Sequence, residues 1–112
     1  MDYRKLGASG LKVSPLCLGT MMFGDATAEA DAKRIAAHAK DAGINFIDTA
    51  NAYAGGRSEE ITGRIVSAAR GWWVVATKLA NPVGKGPNDL GLSRRHCFDA
   101  VEASLTRLGL ET

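Results

Sequence analysis

With 112 residues, 46% of them hydrophobic and 23% charged, the chain has an ordinary globular composition and the length of one small domain at most. Its 14 basic and 12 acidic residues are interspersed and sum to +2, which leaves no basic run or stripe for a nucleic acid. No apolar stretch approaches the ~20 residues of a bilayer span, and Met1-Asp2-Tyr3-Arg4-Lys5 leads into no apolar signal segment, so the expected location is the cytoplasm.

Residues 3–14 read as two short strands around Gly7-Ala8-Ser9-Gly10, since small residues between Leu6 and Leu11 are hairpin chemistry. An alternation of strands and helices follows. Residues 15–20 form an apolar strand closed by Gly19. The spacing of Ala32, Ile35, Ala36 and Ala39 predicts a helix over 27–42, with Gly43 as its stop. Residues 44–48 are a second strand. A second helix is expected over 58–70, with Ser58 as its cap, Glu59 and Glu60 at its positive end, and Ile61, Ile65 and Ala68 on its apolar face.

The third strand, 72–78, is apolar on both faces, as a parallel strand covered on both sides would be, with Trp72 and Trp73 in the core. A glycine- and proline-bearing loop spans 79–92. The last helix starts at Ser93, is expected to bury Phe98, Val101, Leu105 and Leu108, and stops at Gly109. Arg94 and Arg95 at its start read as a solvated surface pair. Cys17 and Cys97 are too few and too far apart for a disulfide framework or a zinc site, and both read as structural, Cys17 as a buried small hydrophobe.

The strand ends at Gly19, Asp48 and Lys78 lie 29 and 30 residues apart. Such regularity implies successive parallel strands with helical crossovers, whose C-terminal ends gather on one face. A dinucleotide-binding sheet would carry G-x-G-x-x-G after its first strand, and Gly19-Thr20-Met21-Met22-Phe23-Gly24 lacks one of those glycines. Asp25 stands where a phosphate-binding loop needs lysine. The fold class is therefore α/β: an N-terminal hairpin plus three βα units of a (β/α)8 barrel, which in full takes about 250 residues. Three parallel strands leave two open edges, so self-association through those edges is expected.

Asp48, Tyr53 and Lys78 stand at or just beyond two of the strand ends. A free tyrosine titrates near pH 10, and a neighbouring ammonium favours its phenolate while a carboxylate holds the ammonium in place. Such a phenol can protonate a carbonyl oxygen as a nucleophile reaches the carbon. The same spacing also fits a structural ion pair between Asp48 and Lys78, with Tyr53 a half-buried aromatic.

These residues carry a resemblance. Arg4-Lys5-Leu6-Gly7-Ala8-Ser9-Gly10-Leu11-Lys12-Val13-Ser14, Leu18-Gly19-Thr20-Met21-Met22-Phe23-Gly24, Gly43-Ile44-Asn45-Phe46-Ile47-Asp48-Thr49-Ala50 with Tyr53, Ala76-Thr77-Lys78, and Gly91-Leu92-Ser93-Arg94-Arg95-His96 with Ser104-Leu105-Thr106-Arg107-Leu108 occur in the order found in aldo-keto reductases. The chain resembles the N-terminal part of that family, in the branch of bacterial aldo/keto reductases and potassium-channel beta subunits, and 1–112 reads as part of one barrel domain. The resemblance implies Tyr53 as general acid, Lys78 as the residue that tunes it and Asp48 as the lysine's partner. It implies NADPH as cofactor, with Thr20, Met21 and Asp48 at its nicotinamide end, a small aldehyde or ketone as substrate, and no metal. It also implies that the hairpin plugs the barrel bottom.

The family completes its catalytic set with a histidine after the fourth strand. Neither His38, mid-helix among alanines, nor His96, at a helix start, matches that position. The implied function is thus a segment of a reductase, inactive when isolated; the alternative is a non-enzymatic regulatory or binding protein of the same fold.

Overall fold

The computed structural model describes residues 1–112. Its first two strands, β1 (Arg4–Lys5) and β2 (Lys12–Val13), pair antiparallel with Arg4 opposite Val13. The turn between them closes through the Leu6 amide on the Leu11 carbonyl, with Gly7 at φ +58°. Asn45 fastens this hairpin to the body: its Oδ1 accepts from the Ser14 amide (2.7 Å) and its Nδ2 donates to the Lys12 carbonyl (3.1 Å).

The main sheet holds β3 (Leu18–Gly19), β4 (Phe46–Asp48) and β5 (Val74–Ala76), all parallel and in chain order, with Gly19 opposite Asp48 and Asp48 opposite Ala76. Asn45 enters β4 and Asp48 leaves it. The hairpin therefore lies at the end of the sheet opposite Asp48. The strands are shorter than the apolar runs that announce them. Pro15 has no amide for a ladder, and Trp72 closes a turn onto the Ala69 carbonyl before β5 begins.

Between the strands run α1 (Glu29–Asp41) and α2 (Arg57–Ser67), and α3 (Arg94–Leu108) follows β5. Alanine-rich α1 buries Ala32, Ala36 and Ala39, with Glu29 and Asp31 in its first turn and His38 and Lys40 in its last, the arrangement the helix dipole favours. It starts two residues later than its pattern predicts, because Thr27 is held in a bridge to Phe23. The core lies between the sheet and these helices: Phe23, Ala32, Ala36, Ile47, Ile61, Ile65, Val66 and Trp73.

Four expectations from the pattern are corrected. Ile35 and Ala68 are exposed, since the stripes that α1 and α2 bury are narrower than their apolar sets. Cys17 is largely exposed, because residues 15–17 precede the ladder. Partial burial and the Asp48 carboxylate push its thiol up, against the pull of Lys78, which disfavours a reactive thiolate.

On α3 the buried stripe is His96, Ala100, Ser104 and Leu108, while Phe98 and Val101 are exposed. The small residues of that stripe face α2, where a Cβ on Gly63 would fall on the Leu108 carbonyl oxygen. Close helix approach decides which face goes in. The fourth correction concerns β5, whose residues are only half-buried. It pairs with β4 alone, and helices cover one face.

Candidate active site

A strand's side chains alternate between faces. Ile47 and Thr49 turn to the helices, so Asp48 turns to the open face; Thr77 likewise turns to α2, so Lys78 shares the face of Asp48. Tyr53 arrives by a different route. Residues 49–52 leave β4, and Tyr53–Gly56 forms a 3₁₀ turn in which Ala54, Gly55 and Gly56 all have positive φ, of 51°, 64° and 96°. This left-handed run reverses the chain into α2.

The three side chains meet at Lys78. Its Nζ donates to Asp48 Oδ2 (2.7 Å), to the Thr49 carbonyl (3.0 Å) and to the Tyr53 hydroxyl oxygen (3.1 Å). An ammonium has three protons, and all are used. Tyr53 is thus an acceptor from Lys78, and its own O–H is free to donate elsewhere. The pair is open to solvent, with the Lys78 side chain 51% and that of Asp48 33% exposed. Partial burial pulls the Lys78 ammonium down, but its hydrogen bonds to Asp48 and Tyr53 and their charges outweigh that, and it lies above the ordinary lysine range.

Below this trio is a buried layer of hydroxyls. Thr20 Oγ1 donates to the Asp48 carbonyl (3.0 Å), Ser58 Oγ donates to the Thr20 carbonyl (2.8 Å), and Thr49 Oγ1 lies 3.1 Å from Ser58 Oγ. Ser58 is therefore no helix cap. Its helix begins one residue earlier behind a left-handed Gly56, and the serine turns inward to lock α2 to β3. Thr20 is fully buried with its hydroxyl engaged, whereas the neighbouring Met21 is 58% exposed.

Two supporting residues were invisible in the sequence. Glu59, at a helix start, has the look of a dipole partner; it is instead fully buried, accepting from Thr77 Oγ1 (2.6 Å) and from Arg107 Nε (2.6 Å). His96 is also buried, with Nε2 2.8 Å from the Leu79 carbonyl, while Ser93 caps α3 by accepting from the His96 amide. The only signal available was the threonine beside Lys78, a polar residue in an apolar strand.

A profile of the aldo/keto reductase family matches residues 15–112. The chain belongs to the aldo/keto reductase family. It is 44% identical over 116 residues to a protein of Arabidopsis thaliana called "Probable voltage-gated potassium channel subunit beta", and equally to one of Oryza sativa subsp. japonica that carries the same name. Each alignment covers 99% of this chain and 35% of the relative. Among solved structures it matches the holo form of an aldo-keto reductase from Bacillus halodurans with a TM-score of 0.87 and 35% identity, over 99% of this chain and 37% of that one. The chain thus spans about a third of the relatives it matches. Its hairpin and βα units are a portion of the family's barrel, and they do not close one. No helix is long and apolar enough to cross a membrane.

Proposed function

We propose that residues 1–112 are the N-terminal part of an NADPH-dependent carbonyl reductase, in which Tyr53 is the proton donor, and that the isolated chain does not turn over. The observation that carries this reading is the single ammonium bound at once to Asp48 and Tyr53. When bound, the nicotinamide supplies a hydride to the carbon of an aldehyde or ketone. The chain's own residues deal with the proton. Tyr53, accepting from Lys78, keeps its O–H for the substrate oxygen, and the ammonium stabilises the phenolate that remains. Asp48 keeps the ammonium charged and in place. The exposed Met21 follows the Thr20 that is bonded to the Asp48 carbonyl and offers an apolar surface for the face of a nicotinamide ring, and buried Thr20 contributes by fixing the loop that presents it. The family membership and the holo form of the Bacillus relative support a nicotinamide cofactor.

The test is a graft. Placed in the Bacillus reductase in exchange for its matching third, the chain is expected to support NADPH consumption with an aromatic aldehyde. Tyr53→Phe in the graft is expected to lower kcat by about 10²–10⁴. A folded graft that works equally well with phenylalanine overturns the proton-donor role. The isolated chain is expected to leave NADPH unoxidised, and turnover there that vanishes in Tyr53→Phe overturns its inertness.

A second reading, a non-catalytic regulatory chain of the same fold, draws on the name carried by the plant relatives. A folded graft without turnover, in which Tyr53→Phe changes nothing, favours it.

A further inference from the structure

Lys78 lies just past the last ladder pair of β5, and β5 has a neighbour on one side only. Backbone hydrogen bonds hold this stretch from the β4 side: the Thr49 amide on the Ala76 carbonyl (2.8 Å) and the Asn51 amide on the Lys78 carbonyl (3.1 Å). Nothing in the sheet holds it from the other. The helices do. On one flank of Lys78, the Thr77 hydroxyl donates to Glu59 Oε1 (2.6 Å); on the other, the Leu79 carbonyl contacts His96 Nε2 (2.8 Å).

Glu59 is a carboxylate with no exposed surface, and burying one is unfavourable unless it is paired and hydrogen-bonded. Arg107 from α3 satisfies it through Oε2 (2.6 Å), and the same guanidinium reaches Ser104 (3.4 Å). The carboxylate therefore joins three elements: α2, which carries it, α3, which neutralises it, and the end of β5, which it grips. Because neighbouring strand residues face opposite ways, holding Thr77 against α2 holds Lys78 towards Asp48 and Tyr53.

We infer that Glu59 is a positioning residue that, braced by Arg107 and acting through Thr77, keeps the Lys78 ammonium in register with Asp48 and Tyr53. This rests on Lys78 being the partner of the acid in the reading above, but its test needs neither cofactor nor substrate. A missing clamp and a missing reductase chemistry therefore give separate results.

The test is competitive acetylation of the 112-residue chain with limiting acetic anhydride, read lysine by lysine by peptide mass spectrometry. A tightly held ammonium reacts slowly, about tenfold for each unit its pKa is raised. Lys78 is expected to label several-fold more slowly than the exposed Lys85, and Thr77→Val is expected to bring the two rates together. Thr77→Ser, which restores the hydroxyl, is expected to return Lys78 to its slow rate. Glu59→Gln weakens the same bond from its other end and is expected to speed Lys78 as well; it serves if the valine variant does not fold. A role in stability alone would lower the melting midpoint and leave the Lys78 rate unmoved. That result in either folded variant, or equal rates for Lys78 and Lys85 in the unaltered chain, overturns the inference.

Discussion

Lys78 Nζ and Asp48 Oδ2 lie 2.7 Å apart across the open face of two neighbouring parallel strands, and the same ammonium reaches Tyr53. Because folding raises the Lys78 pKa, its contribution to stability is complete below the unfolded value of 10.5 and is lost as pH climbs through the higher folded value. The chain is therefore expected to have a lysine-dependent alkaline limit. Urea midpoints of the unaltered chain and Lys78→Met should differ near neutrality, and the gap should shrink above pH 10.5. A gap that is the same on both sides removes the linkage.

Gly63 and Leu108 define where α2 and α3 cross. A methyl at Gly63 would collide with backbone, which cannot rotate away as a side chain can. Overpacking costs about 1–3 kcal/mol, and the rigid obstacle puts this site at the upper end. The better helix propensity of alanine returns about 1 kcal/mol. Gly63→Ala is expected to lower stability by about 2 kcal/mol net, measured by denaturant titration. A neutral result would mean that the two helices part easily.

Ala54 sits at φ 51° and ψ 35°, inside the turn that delivers Tyr53. The left-handed conformation costs an L-residue about 1–2 kcal/mol, and glycine avoids that while adding about 0.4–1 kcal/mol of unfolded-state entropy. Ala54→Gly is expected to stabilise the chain by about 0.5–1 kcal/mol, a rise of a few degrees in the melting midpoint. A fall would show that the methyl has a packing role that outweighs its strain.

The free edge of β5 borders a groove of about 410 Å³ whose lining includes Val74, Val75, Val101 and Leu105. An unpaired strand edge beside apolar side chains invites a second copy of the chain. Light scattering on the purified chain is expected to report a dimer or larger species. A monodisperse monomer across the micromolar range would rule this association out.

The order and type of the elements were legible because each strand run ends in an abrupt change of chemistry and each helix has a buried stripe and a stop. Gly109, left-handed after α3, and Ser93, capping it, do what their residue types suggest. Strand lengths were not legible, since a ladder needs a partner and Pro15 and Trp72 sit where pairing has not begun. Nor was the buried face of α3. Phe98 and Val101 outweigh Ala100 and Ser104 in hydrophobicity, yet the small residues go inward because Gly63 lets the helices close up.

What the sequence determined by itself is the family and the common side of Asp48 and Lys78, which stand at strand ends where alternation fixes their face; Tyr53 completes the trio only through the left-handed turn that follows β4. Only the tertiary structure decided what holds that trio. Glu59 and Thr77 are 18 residues apart and belong to different elements, and Glu59 and Arg107 are 48 apart. A buried carboxylate and a helix-start glutamate read alike along the chain, because burial is set by what packs across a residue and not by its neighbours in sequence.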